Sequence, residues 1–220
     1  RRDQKHQAFY LVEEFIDGTT LEAHLKRSRP GEREVLAMLL ELSDILAYLH
    51  SRTPRIIHRD IKPDNIMRRE DGRLALIDFG AVRDDALQQS GKLTITGTPG
   101  YMAPEQISGS APNPKSDVYA LALVLYEMLV GKRLYHGVAA TILRQKLIEE
   151  HPPLQGLPAG PACHLFEPLV MWGLEQNPNN RPDTQEFAKG LLEVKGSLAP
   201  TDANTAITYL DAQKLMAAPG

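Results

Sequence analysis

Apolar side chains recur every three or four residues over most of this chain, and gather into short branched and aromatic runs near its start. Residues 8–16, AFYLVEEFI, predict a strand that an Asp17-Gly18 turn closes. Thr19 or Thr20 then caps a short helix through Leu21, Leu25 and Lys26, broken at Arg29-Pro30-Gly31. Residues 32–50 carry the clearest amphipathic pattern: Val35, Leu36, Leu39, Leu42, Ile45, Leu46 and Leu49 fall on one face, and Glu32 and Glu34 sit in the first turn, where the helix dipole favours them. Residues 56–67 are irregular. Two short arms, 66–68 and 73–77, flank Glu70-Asp71-Gly72 and predict a hairpin.

Residues 79–104 read as one long loop, a length that in compact domains is usually functional. Helices are expected over 115–130, 139–150, 164–175 and 184–194. The first is apolar on all sides and ends at Gly131, so it should be buried. Leu169 and Trp172 are expected in the core. From Gly196 on, Ala, Thr, Pro and Asp dominate, which suggests a linker or loose tail over 196–220 behind a unit spanning 1–195. The fold class is α+β, mainly α.

Composition narrows the function. The 220 residues are 42% hydrophobic and 24% charged, as in ordinary folded domains. A net charge of −3 provides no basic field, so nucleic acid is not an expected partner. No run reaches the roughly 20 apolar residues of a membrane segment. The one cysteine, Cys163, excludes an internal disulfide and suggests a reducing cytoplasm. Cys163-His164 has no companion at metal-ligand spacing, and the basic run at 26–29 reads as a solvated helix end. The chain opens on Arg1 rather than Met, so a piece of a longer protein is expected.

The chemistry is concentrated in three places. His58-Arg59-Asp60-Ile61-Lys62-Pro63-Asp64-Asn65 follows the amphipathic helix, Asp78-Phe79-Gly80 follows the hairpin, and Ala103-Pro104-Glu105 closes the long loop. In this order the three resemble the signature set of protein kinases. Lys62 two residues after Asp60, with Gly97-Thr98-Pro99-Gly100-Tyr101, looks like the serine/threonine branch, and the compact loop is similar to bacterial Hanks-type kinases. The resemblance runs from about Phe9 to about Leu192.

The resemblance implies a kinase-like large lobe with its hinge strand. It implies Asp60 as the residue that accepts the substrate hydroxyl proton, Lys62 against the γ-phosphate, and Thr98 bonded to both. Asn65 and Asp78 would be oxygen ligands for Mg²⁺, or Mn²⁺, beside ATP. The Glu14 carbonyl and the Ile16 N–H would meet the adenine edge, Met67 would floor it, and Glu13 would stand at the gate behind it. His58 and Phe79 would stack, Asp117 would hold the catalytic loop through its amides, and Glu105 and Arg181 would form a buried bidentate pair. Arg59 beside Asp60 implies a regulatory phosphate on the loop, at Thr94 or, next, Thr96.

No G-x-G-x-x-G occurs, and Lys5 is the only lysine before Lys26. The family's small lobe is therefore expected to be largely absent here, and the 220 residues alone to transfer phosphate poorly. Two readings follow: a protein kinase acting on serine or threonine hydroxyls of a protein substrate, or a truncated, non-catalytic lobe that binds a partner. A small-molecule kinase is a weaker third, since Lys62 and the 98–105 segment suit a peptide.

Overall fold

A computed structural model describes residues 13–79, 98–111, 113–148 and 163–198. Three short strands precede most of the helices. Strand β1 (Gly18–Thr20) leads directly into helix α1 (Leu21–Arg27), which Thr20 caps by accepting the Ala23 N–H at 3.1 Å. Helix α2 (Glu32–His50) follows with the predicted limits. Strands β2 (Ile66–Arg69) and β3 (Leu74–Leu76) form the hairpin, and the sheet order is β1-β2-β3, all antiparallel. Gly18 pairs with Arg69 and Thr20 with Met67. At Gly18 φ is 153°, and a Cβ would lie 2.2 Å from the Arg68 carbonyl oxygen, so this crossing requires glycine.

The expected strand over 8–16 is corrected here. Residues 8–12 lie outside the described residues, while 13–17 form no regular structure and Phe15 is 86% exposed. Branched and aromatic composition needs a hydrogen-bonded partner to make a strand. Among the described residues the ladder on β2 starts only at Gly18, the residue expected to end the strand.

Helices α3 (Pro104–Ile107), α4 (Pro114–Val130), α5 (Ala139–Ile148), α6 (Cys163–Gly173) and α7 (Thr184–Ser197) complete the fold. Every α4 residue from Ser116 to Leu129 is buried, as its all-round apolar pattern requires, and α2, α6 and α7 pack around it. Gly131 ends α4 at φ 75°, donating to the Glu127 carbonyl at 2.7 Å. Helix α7 crosses the expected break at Gly196 by one residue, because the Ser197 hydroxyl and the Leu198 N–H still find the Glu193 and Val194 carbonyls. Trp172 is not core. It is 39% exposed and its indole N–H donates to the Asn180 carbonyl at 2.9 Å, whereas Leu169, three residues earlier, is buried. Three residues turn a helix by about 300°, so the two side chains do not share one line of the face.

Helices α4 and α6 meet at Gly173, where a Cβ would fall 2.6 Å from the Ala122 Cβ and 3.2 Å from the Phe187 ring. Gly173→Ala is expected to lower the unfolding free energy by about 1–3 kcal/mol through overpacking. Urea denaturation of the full chain checks this, and an unchanged midpoint would contradict the close approach.

Candidate active site

One carboxylate sets the path of the segment that carries most of the motif. Asp117, in the first turn of α4 and 1% exposed, accepts the backbone N–H groups of His58 and Arg59, each at 2.9 Å. It also accepts His50 Nε2 at 2.9 Å, and His50 Nδ1 meets the Thr184 hydroxyl at 2.8 Å. The last residue of α2, the start of α4 and the start of α7 therefore converge behind the loop. Pinned amides allow Arg59 a φ of 70°, a conformation that side chains other than glycine rarely adopt.

His58 ties this loop to the end of the hairpin. Its Nε2–H donates to the Ile77 carbonyl at 3.1 Å and its Nδ1 accepts the Asp60 N–H at 3.4 Å, which fixes a neutral ring with the proton on Nε2. Burial lowers its pKa below the ordinary histidine value and outweighs Asp117, Asp60 and Asp78 nearby. The ring centroid lies 4.8 Å from that of Phe79.

Asp60 receives donors on both oxygens. Lys62 Nζ lies 2.6 Å and Asn65 Nδ2 2.9 Å from Oδ2, and the Thr98 N–H is 3.4 Å from Oδ1. Lys62 also donates to Thr98 Oγ1 at 3.0 Å, and Asn65 Nδ2 to the Asp60 carbonyl at 2.8 Å. A single 3-10 turn, Pro63–Asn65, carries Asn65 back over Asp60. The Asn65 carbonyl accepts the Ile77 N–H at 2.9 Å, which brings the hairpin's end, and Asp78 after it, beside Asn65. Asp78 is exposed and holds φ at 62°. Both positive-φ residues other than glycine among the described residues thus flank this centre, each costing about 1–3 kcal/mol unless its surroundings impose it.

The segment after Thr98 is anchored through buried polar groups. The Glu105 carboxylate takes Arg181 in a two-point pair of 2.7 and 2.8 Å, and Ser116 Oγ at 2.6 Å. Arg181 is 1% exposed and spends its other donors on the carbonyls of Glu175, Gln176 and Lys115. Burial opposes ionisation of Glu105, but the Arg181 and Ser116 hydrogen bonds and the guanidinium charge outweigh it and hold the carboxyl below its usual range. The Tyr101 hydroxyl donates to Glu127, and burial with that contact raises the phenol's pKa well above the ordinary value. Gln106 reaches back from α3, its Nε2 donating to the Arg59 carbonyl at 2.9 Å.

The four residues expected at the reacting centre, Asp60, Lys62, Asn65 and Thr98, share one hydrogen-bonded cluster. The pairs His58 with Phe79, Glu105 with Arg181, and Asp117 with the loop amides have the expected partners. Glu14 pairs its exposed side chain with Arg69 at 3.4 Å, Ile16 is half-buried, and Met67 lies in the middle of β2. Thr94 and Thr96 lie outside the described residues. His50, Gln106, Ser116 and Lys146 were not expected. Gln106 and Ser116 also accept the backbone N–H three residues before them, but the bond that ties each of the four into the site goes to a residue outside its own helical turn, which no local pattern reveals.

A family model described as "Protein kinase domain" matches residues 3–201. The chain is similar to serine/threonine-protein kinase PknA of Nostoc sp., at 45% identity over 59% of this chain and 24% of that protein. It is similar to serine/threonine-protein kinase PknB of Mycolicibacterium smegmatis, at 31% identity over 96% of this chain and 34% of that protein. It is also similar to serine/threonine-protein kinase PknA of Mycobacterium tuberculosis, at 38% identity over 66% of this chain and 33% of that protein. The chain therefore spans only 24 to 34% of the length of these relatives.

Arg181→Ala leaves the buried Glu105 charge unpaired and is expected to cost about 3–5 kcal/mol of stability, measured by urea denaturation. The sign with pH follows from Glu105. Its stabilisation is complete above the ordinary carboxyl value of 4.5 and is lost as the pH falls through the depressed folded value. Glu105→Gln should therefore be less stable at neutral pH and lose less on acidification. Equal acid slopes in the two proteins would contradict the pairing.

Proposed function

This chain belongs to the protein kinase domain family, and from that premise we propose that it carries the catalytic lobe of an ATP-dependent serine/threonine protein kinase. The observation that carries the proposal is the cluster in which Lys62, Asn65 and Thr98 all donate to Asp60 or receive from its neighbour. Such a cluster suits phosphoryl transfer, where positioning and neutralisation of charge do most of the work.

In this reading an acceptor serine or threonine hydroxyl approaches Asp60, whose carboxylate orients it and takes its proton as the new O–P bond forms. The bond from the γ-phosphorus to the bridging oxygen breaks in line, and ADP leaves. Lys62, fixed between Asp60 and Thr98, screens the charge on the transferring group. Mg²⁺, or Mn²⁺, would neutralise phosphate charge when bound, and the oxygen donors of Asn65 and Asp78 would suit it. Asn65 commits its Nδ2 to Asp60, which leaves Oδ1 for a cation, and Asp78 adds an exposed carboxylate. Among the described residues no cluster of three or more His, Cys, Asp or Glu would hold an ion alone.

The Glu14 carbonyl and Ile16 N–H would bind the adenine edge over Met67, and residues outside this chain would supply the rest of the ATP site. Arg59 would answer to a phosphate on Thr94 or Thr96. The kinase unit would span 1–195 with a tail beyond it. No nucleic acid is invoked. Among the described residues no helix is long and apolar enough to cross a membrane, and a cytoplasmic place would suit a user of ATP with a single cysteine.

With a complete ATP site restored, Asp60→Asn is expected to reduce transfer of labelled γ-phosphate to a serine- and threonine-containing acceptor protein by about 10²–10⁴-fold. Transfer at the unaltered rate would overturn the assignment.

A further inference from the structure

Lys146 is the buried cation that the chemistry above does not use. It lies on α5, is 1% exposed, and aims its ammonium at the carbonyl oxygens of Gly100 and Met102, both at 2.8 Å. The Tyr135 ring centroid is 4.6 Å from Nζ and the Tyr119 ring centroid 5.2 Å, so the charge faces two carbonyl dipoles and two aromatic rings. Burial and the nearby Arg181 lower its pKa well below the ordinary lysine value.

The two carbonyls belong to the turn that begins at Thr98. Tyr101 N–H and Met102 N–H both donate to the Thr98 carbonyl, at 2.9 and 3.3 Å. That pattern closes the turn from inside and leaves the Gly100 and Met102 oxygens pointing outward. The side chain of Thr98, at the other end of the same turn, accepts from Lys62, and its N–H faces Asp60. A continuous set of hydrogen bonds thus leads from α5 through the 98–102 turn to the reacting centre. The Tyr101 hydroxyl, bonded to Glu127 on α4, holds the turn from its other side.

We propose that Lys146 is a positioning residue for the protein acceptor: by clamping two carbonyls it sets the 98–102 turn, whose first residue bonds Lys62 and Asp60 and so borders the place where an acceptor hydroxyl would meet Asp60. This rests on the kinase reading above for the identity of the acceptor, and on hydrogen bonds alone for the clamp. Lysine suits the task because one ammonium satisfies two diverging carbonyls, which a carboxamide or hydroxyl at that distance from the helix cannot reach together.

The test compares Lys146→Met, which keeps length and removes the donors, with Lys146→Arg, which keeps charge and donors. In the full chain, amide hydrogen exchange at Tyr101 and Met102 is expected to quicken about tenfold or more in the Met variant, through the loss of the two hydrogen bonds that Lys146 donates to this turn. Amides inside α2 should keep their rates, and the Arg variant should stay near the parent. In an enzyme with a complete ATP site, the Met variant should raise KM for an acceptor peptide about tenfold and leave KM for ATP within about twofold. Unchanged exchange at Tyr101 and Met102 would overturn the clamp. Peptide and ATP constants that shift together with melting temperature would reduce Lys146 to a structural residue. If the parent enzyme transfers no phosphate, the kinase reading fails, while the exchange comparison still decides the clamp.

Discussion

The Asp117 carboxylate is the interaction on which the rest of this molecule depends. It sits at the start of a wholly buried helix, where the helix dipole favours a negative charge. It gathers two backbone amides and an imidazole from a loop and a second helix. A buried carboxylate is stable only with its lone pairs filled, and this one is filled by the groups that need fixing. The result is an irregular loop tied through two of its amides, with an unfavourable φ at Arg59 and with Asp60 facing Lys62 and Asn65. His50 extends the same hold to α7 through Thr184.

A second layer of buried polar groups does for the 98–107 segment what Asp117 does for the 58–65 loop. Glu105 is fixed by Arg181 and Ser116, Tyr101 by Glu127, and Gly100 and Met102 by Lys146. Gln106 then bonds this segment to the Arg59 carbonyl, so the two irregular pieces brace one another. Neither has a ladder or a helix of useful length to satisfy its backbone. Asp117 from α4 and Lys146 from α5 supply backbone partners directly, and Ser116, Glu127 and Arg181 hold the second segment through its side chains. Site geometry here is a property of long-range hydrogen bonding more than of secondary structure.

That distinction explains what could be read from the sequence. Helix α2 was legible because its limits and its buried face lie in one periodic run, and the β2–β3 hairpin because its turn residues are adjacent. Asp60, Lys62 and Asn65 were legible because they fall within six residues of one motif. The Glu105–Arg181 pair was legible only through the family resemblance, since 76 positions separate the partners. Residues 13–16 were misread because strand-like composition does not supply a neighbouring strand. Trp172 was misread because apolar spacing does not say which edge of the helix faces solvent. Lys146, His50 and Gln106 carried no signal, as a lysine, a histidine or a glutamine on a helix is ordinary until its distant partner is known.

The most direct test of this account is amide hydrogen exchange at His58 and Arg59 in the full chain and in Asp117→Asn. Asparagine offers one acceptor oxygen where the two amides need two, and turns an N–H₂ toward one of them. The account predicts that both amides in the parent exchange as slowly as the core of α2. In the variant they should exchange about tenfold faster or more while α2 is unchanged. Fast exchange of both amides in the parent, or equal rates in the two proteins, would contradict it.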